Sequence, residues 1–133
     1  MQRIKNLFFP CTLLLFNACS NVTKFPVSTV VPAAEITATK KQDKNNNYII
    51  TVNAKNLASP ERLMPPQNTY SVWVLTEDNG VKNVGQLLTK NSKSVSLETT
   101  TPFNVKEIFI TAENQGTNSY PSGMEISRAI FKK

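Results

Sequence analysis

Alternation of apolar and polar side chains with a period of two runs through most of this chain and restricts it to sheets that bury a face. Ala34, Ile36 and Ala38 alternate with Glu35, Thr37 and Thr39, and Tyr48, Ile50, Val52 and Ala54 alternate with Ile49, Thr51, Asn53 and Lys55. Successive side chains of a strand point to opposite faces, so this spacing predicts two half-buried strands, with the polar stretch Lys40–Asn47 as the hairpin loop between them. Asn56–Asn68 carries Pro60, Pro65 and Pro66, which excludes an interior strand or a long helix and predicts a crossing from one sheet to another. Tyr70-Ser71-Val72-Trp73-Val74-Leu75 is apolar on both faces except at Ser71. That pattern predicts a central strand packed on both sides, with Trp73 anchoring the core between two sheets. Asp78-Asn79-Gly80 offers residues that accept positive φ in a tight turn, so Val81–Leu88 is expected to return as the hairpin partner. Val95 and Leu97 mark another strand, Thr99–Pro102 a turn, Val105–Ala112 a buried strand, and Met124–Phe131 a last one. The sum is an all-β chain: a single antiparallel β-sandwich, immunoglobulin-like in size, of about seven or eight strands, with no helix and no internal repeat.

The first residues have a different character. Arg3 and Lys5 supply positive charge, Leu7–Phe16 a short apolar run interrupted by Pro10, Cys11 and Thr12, and small Ala18 precedes Cys19. Charge, apolar run and small residue in that order make a cleavable export signal over residues 1–18, and the run is about half the ~20 apolar residues that a membrane span requires. Leu15-Phe16-Asn17-Ala18-Cys19 resembles the lipobox of bacterial lipoproteins, which implies that the Cys19 thiol takes a diacylglyceryl group and becomes the new N-terminus. Cys11 is the poorer candidate, because Pro10 stands where a small residue belongs. The expected organisation is residues 1–18 as signal peptide, 19–26 as lipidated N-terminus and tether, and 27–133 as the β-sandwich domain. Ser20, in place of the Asp that favours inner-membrane retention in enteric lipoproteins, makes the outer membrane the preferred attachment.

Removal of residues 1–18 leaves 115 residues, room for one domain and one core. The signal takes Arg3 and Lys5 with it, so the mature chain keeps a balance of only +4, and its Lys and Arg are spread along the chain instead of clustered among aromatics. Nucleic acid is therefore not an expected partner. Cys11 leaves with the signal and Cys19 would be acylated, so the folded part has no thiol and no disulfide. The chain also contains no His, the residue most used to hold zinc and to activate nucleophiles near neutral pH. Glu77-Asp78 lacks the further oxygens of a calcium site. The expectation is a protein without cofactor, metal or catalytic residues.

Tyr70-Ser71-Val72-Trp73, Gly85-Gln86-Leu87, Thr111-Ala112-Glu113-Asn114-Gln115-Gly116 and Pro121-Ser122-Gly123 follow one another. In that order they resemble the extracytoplasmic C-terminal β-domain of anti-sigma-K factors, over about half of the mature chain. The resemblance implies a small β-sandwich on the outer side of a membrane. It does not carry sigma-factor binding across, because the cytoplasmic domain and membrane span of those regulators have no counterpart here. Tyr70, Trp73, Glu113, Gly116, Pro121 and Gly123 are accordingly structural candidates: Trp73 as a core anchor, Glu113 in a structural role in its loop, and Gly116, Pro121 and Gly123 as shapers of that loop. The functional expectation is a membrane-anchored envelope lipoprotein, a non-catalytic binding or structural module whose partner is another envelope protein or a glycan. The alternatives are an accessory of an anti-sigma regulatory system and a glycan-binding module proper.

Overall fold

A computed structural model describes residues 21–90 and 93–132 and contains eight strands in two four-stranded antiparallel sheets. The strands are β1 (Asn21–Lys24), β2 (Glu35–Gln42), β3 (Tyr48–Lys55), β4 (Thr69–Thr76), β5 (Val81–Leu87), β6 (Ser94–Thr101), β7 (Val105–Glu113) and β8 (Met124–Ile130). The first sheet has the order β1-β2-β3-β6 and the second β5-β4-β7-β8. The proline-bearing segment 56–68 crosses between the sheets, as its sequence predicts, and holds one short 3-10 turn at Pro60–Arg62.

The alternation in the sequence becomes the core. Ile36, Ala38, Ile50, Val52 and Ala54 project from the first sheet onto Tyr70, Val72, Val74, Ile108 and Ile110 of the second, all buried. Burial on this scale is the main favourable term in folding. Tyr70 keeps its hydroxyl satisfied by donating to the Ala58 carbonyl at 2.6 Å, and burial pushes the phenol up to about 12.

Strand direction sorts the connections to two ends. One end gathers the 43–47, 77–80 and 102–104 loops with the start of β1 and the end of β8; the other gathers 25–34, 56–68 and the start of the 114–123 loop. Lys40 closes the first end from inside. Its ammonium donates to the Val105 carbonyl at 2.7 Å and to Asn104 Oδ1 at 3.1 Å, and lies 5.1 Å and 5.7 Å from the rings of Phe131 and Tyr48. Burial holds its pKa below that of an ordinary lysine, although Glu77 opposes the shift.

Several boundaries differ from the sequence reading. Asn21–Lys24 is a strand in register with β2, Val22 opposite Thr39 and Lys24 opposite Thr37, and not part of a tether; four residues are too few to display a period, and it is β2 that supplies their hydrogen-bond partners. β2 continues to Gln42 because Lys40, Lys41 and Gln42 pair with Ile50, Ile49 and Tyr48. Thr99–Thr101 completes β6 instead of turning, a role that suits β-branched threonine. The export signal and Cys19 lie outside the described residues. Among the described residues, no helix is long and apolar enough to cross a membrane.

Candidate functional site

β4 is apolar on both faces, and only one of them meets the other sheet. Tyr70, Val72 and Val74 face the inter-sheet core, so Thr69, Ser71 and Trp73 face outward. Trp73 is nevertheless 0% exposed. The expectation that it lies between the two sheets is corrected here: the indole is buried on the outer face of the second sheet, beneath the 114–123 loop. A fully apolar strand reveals that both its faces are covered, and leaves open which layer covers each.

A row of side chains crosses that face. Trp73 of β4 stacks on Phe109 of β7, with ring centroids 6.4 Å apart and planes 15° from parallel, and the Arg128 guanidinium of β8 lies 4.0 Å from the Phe109 ring. Register places the three opposite one another. Glu107 at 3.3 Å and Glu125 at 2.6 Å orient Arg128. Cation-π contact of this kind contributes about 0.5–2 kcal/mol.

The loop above this row is fastened from both sides. The Trp73 indole donates to Thr111 Oγ1 at 2.8 Å, and the Thr111 hydroxyl donates in turn to Glu113 Oε2. Glu113, 1% exposed, also accepts from the Ser122 hydroxyl at 2.9 Å, the Gly123 amide at 3.0 Å, the Ser122 amide at 3.3 Å and Asn118 Nδ2 at 3.4 Å. On β5, Asn83 Nδ2 donates to the carbonyls of Gly116 and Asn118, both at 2.9 Å. β4 runs between β5 and β7, so a loop anchored on Asn83 and Glu113 must pass over Trp73. Gly123 is required where the loop rejoins β8, since a Cβ there would fall 1.8 Å from the Ala112 carbonyl oxygen. At Gly116 it would fall 2.0 Å from the Gln86 side chain.

The structure therefore brings together Trp73, Glu113, Gly116 and Gly123 and leaves Tyr70 on the opposite face of β4. Pro121, half-buried, sits within the fastened loop. Thr111 and Ser122, which belong to the resembling motifs without being structural candidates, complete the arrangement with Asn83, Phe109 and Arg128, to which the sequence assigns no role. The spacing of Phe109, Thr111 and Glu113 already puts them on one face of a strand, which is the signal by which they could have been found.

Burial alone pushes the Glu113 carboxyl up, and the hydrogen bonds from Thr111, the Gly123 amide and Ser122 together outweigh it, so the group is held below its ordinary 4.5. A carboxylate whose folded pKa is depressed contributes stability that is present above the unfolded value and lost as pH falls through the folded one. The melting temperature should therefore decline as pH falls below about 4.5, with Asp78, also lowered by its hydrogen bond from Thr76, adding to the decline below its ordinary 3.8. Circular-dichroism melts of wild type and Glu113→Gln from pH 7 to 3 check this. The variant should lose part of the decline, and parallel curves would contradict it.

Between β5 and the loop lies a shallow, open hollow of about 580 Å³ lined by Val81, Lys82, Asn83, Gly85 and residues 116–119. Its polar groups are amides, hydroxyls and one ammonium, suited to hydrogen-bonding a polar surface and lacking a base positioned to activate a nucleophile. Among the described residues, no group of three or more His, Cys, Asp or Glu is placed to hold a metal ion. Burial of Trp73 also removes it as a stacking platform for a sugar; the exposed aromatic on the loop is Tyr120. Comparison with protein-family models, with curated proteins and with solved structures finds no match to this chain.

Proposed function

We propose that this protein is an envelope lipoprotein, held to a membrane by lipid on Cys19 and acting by contact, as a non-catalytic binding or structural module. The observation that carries the reading is the short passage from lipid site to fold. The charged start, the apolar run and Ala18-Cys19 are followed, after Ser20 alone, by the first residue of β1. A chain arranged in this way presents a rigid sandwich directly on a lipid anchor. The fastened 114–123 loop supports contact as the mode of action, since a loop whose backbone is already ordered pays little entropy on meeting a partner.

Labelling of cells with a fatty-acid analogue tests the anchor. Label should enter the wild type and be absent from Cys19→Ala, which should persist as an unprocessed precursor; equal label on both would refute the reading. A second reading, as the sensory-side domain of an anti-sigma system, draws on the convergence of the resembling residues Trp73, Gln86, Glu113, Gly116 and Gly123 around one loop. Crosslinking in intact cells followed by identification of the partner separates it from the first.

A further inference from the structure

If Cys19 carries the lipid, the geometry of β1 fixes which end of the domain meets the membrane. From Cys19 to Asn21 is two residues, a reach of at most about 7 Å, comparable with the thickness of one headgroup layer, roughly 5–7 Å. Asn21 pairs with Lys40, and β2 runs two residues further, to Gln42, before the 43–47 turn. Two strand residues extend about 7 Å, so the turn projects beyond Asn21 by about the whole length of the link. A domain tethered this closely has its first end at headgroup level.

The chemistry of that end matches the location. Lys41, Lys44, Lys82, Lys106 and Lys132 lie there against Asp43, Glu77, Asp78 and Glu107. Glu107 is paired with Arg128, and the other acids keep their charge while accepting from neutral donors: Asp43 from the amides of Asn45 and Asn47, Asp78 from the Thr76 hydroxyl, and Glu77 from Asn104, which leaves the lysines in excess. Among the described residues, none of the five lysines forms an ion pair with a carboxylate, the ion pairs being those of Arg128, and Lys106 donates to Asn79 Oδ1. Phe103, 45% exposed, stands at the tip of the 102–104 loop with the Lys82 ammonium 5.4 Å from its ring. An exposed aromatic among lysines outside ion pairs is the composition of an interfacial contact.

We propose that this end of the sandwich is a membrane-docking face that seats its lysines on anionic phospholipid headgroups and places Phe103 in the interface, so that the domain stands upright and does not swing on its anchor. The proposal rests on lipidation at Cys19. The opposite end then lies roughly 26 Å above the headgroups, the length of β7, and the 25–34 and 56–68 segments face away from the membrane.

The test uses the mature lipidated protein reconstituted in vesicles of phosphatidylcholine with phosphatidylglycerol. Since the mature chain would have no other free thiol, Asn45→Cys at the docking end and Met64→Cys, 90% exposed in the wild type at the far end, can each be labelled with a fluorophore and quenched by brominated lipid. Quenching at 45 should exceed that at 64 at least about threefold, given the separation of the two ends. The excess should shrink when Lys41, Lys44 and Lys82 are all changed to Gln, and in 1 M salt, where the screening length falls to about 3 Å. Equal quenching at both positions in protein that still floats with the vesicles would overturn docking and leave the anchor standing. An undiminished excess in pure phosphatidylcholine would overturn the recognition of anionic lipid. Protein that carries no lipid and does not float would overturn the anchor and the docking together.

Discussion

Truncation of Trp73 to Ala is expected to remove about 3–5 kcal/mol of stability, a large share of the 5–15 kcal/mol available to a domain of this size. The indole is fully buried, stacks on Phe109 and holds Thr111 by its N–H, so the variant loses apolar burial, an aromatic contact and one end of a hydrogen-bond chain together. Urea unfolding of wild type and variant measures the loss, and a cost under about 1 kcal/mol would show that the loop does not depend on the ring. As the chain has a single Trp, its emission in the wild type should be blue-shifted and resistant to acrylamide. Thr111→Val should alter that emission while costing only the ~1–2 kcal/mol of a buried hydrogen bond. An indole packed only between the sheets would not respond to Thr111.

Glu113→Ala is expected to cost about 2–3 kcal/mol, roughly what leaving a buried hydrogen-bond donor unsatisfied and losing charged hydrogen bonds removes. Its carboxylate is the common acceptor for Thr111, Ser122 and the Gly123 amide, and without it the buried Thr111 hydroxyl loses its acceptor while the exposed Ser122 and Gly123 are released to solvent. The loss should also be local. Hydrogen exchange at the amides of Ser122 and Gly123 should accelerate well before that of β3 or β4, because the loop is fastened through this one side chain on the β7 side. Exchange at those two amides that stayed as slow as in the wild type would show that the loop is held without Glu113, by Asn68, Asn83 and chain connectivity. Glu113→Gln preserves size and separates the loss of charge from the loss of volume. It should fall between the wild type and the Ala variant.

Much of the architecture is legible in the residues. The alternation at Ala34–Thr39 and Tyr48–Lys55 predicts β2 and β3, with Ile36, Ala38, Ile50, Val52 and Ala54 on the buried face, as found. Asp78-Asn79-Gly80 predicts the β4–β5 turn, and Asn79 has φ 66°. The prolines of 56–68 predict the crossing. β1 is not legible, because a four-residue edge strand has no period of its own and exists through its pairing with Thr37–Lys40. The candidate site is half legible. Trp73, Glu113, Gly116 and Gly123 stand out as residues, and their association does not, since the contacts join β4, β5, β7 and the loop across separations of up to 38 residues.

What the sequence by itself determined is the buried face of β2 and β3, the returns from β2 to β3 and from β4 to β5, and the crossing at 56–68. Those follow from a two-residue period and from the backbone limits of Pro, Gly and Asn, which act within a few residues. What only the tertiary structure decided is the identity of the layers. β4 is apolar on both sides, and periodicity cannot say which side takes the second sheet and which takes a loop. The outcome rests on Glu113, a carboxylate that is tolerated in a buried position only because the loop returns to it with amide and hydroxyl donors.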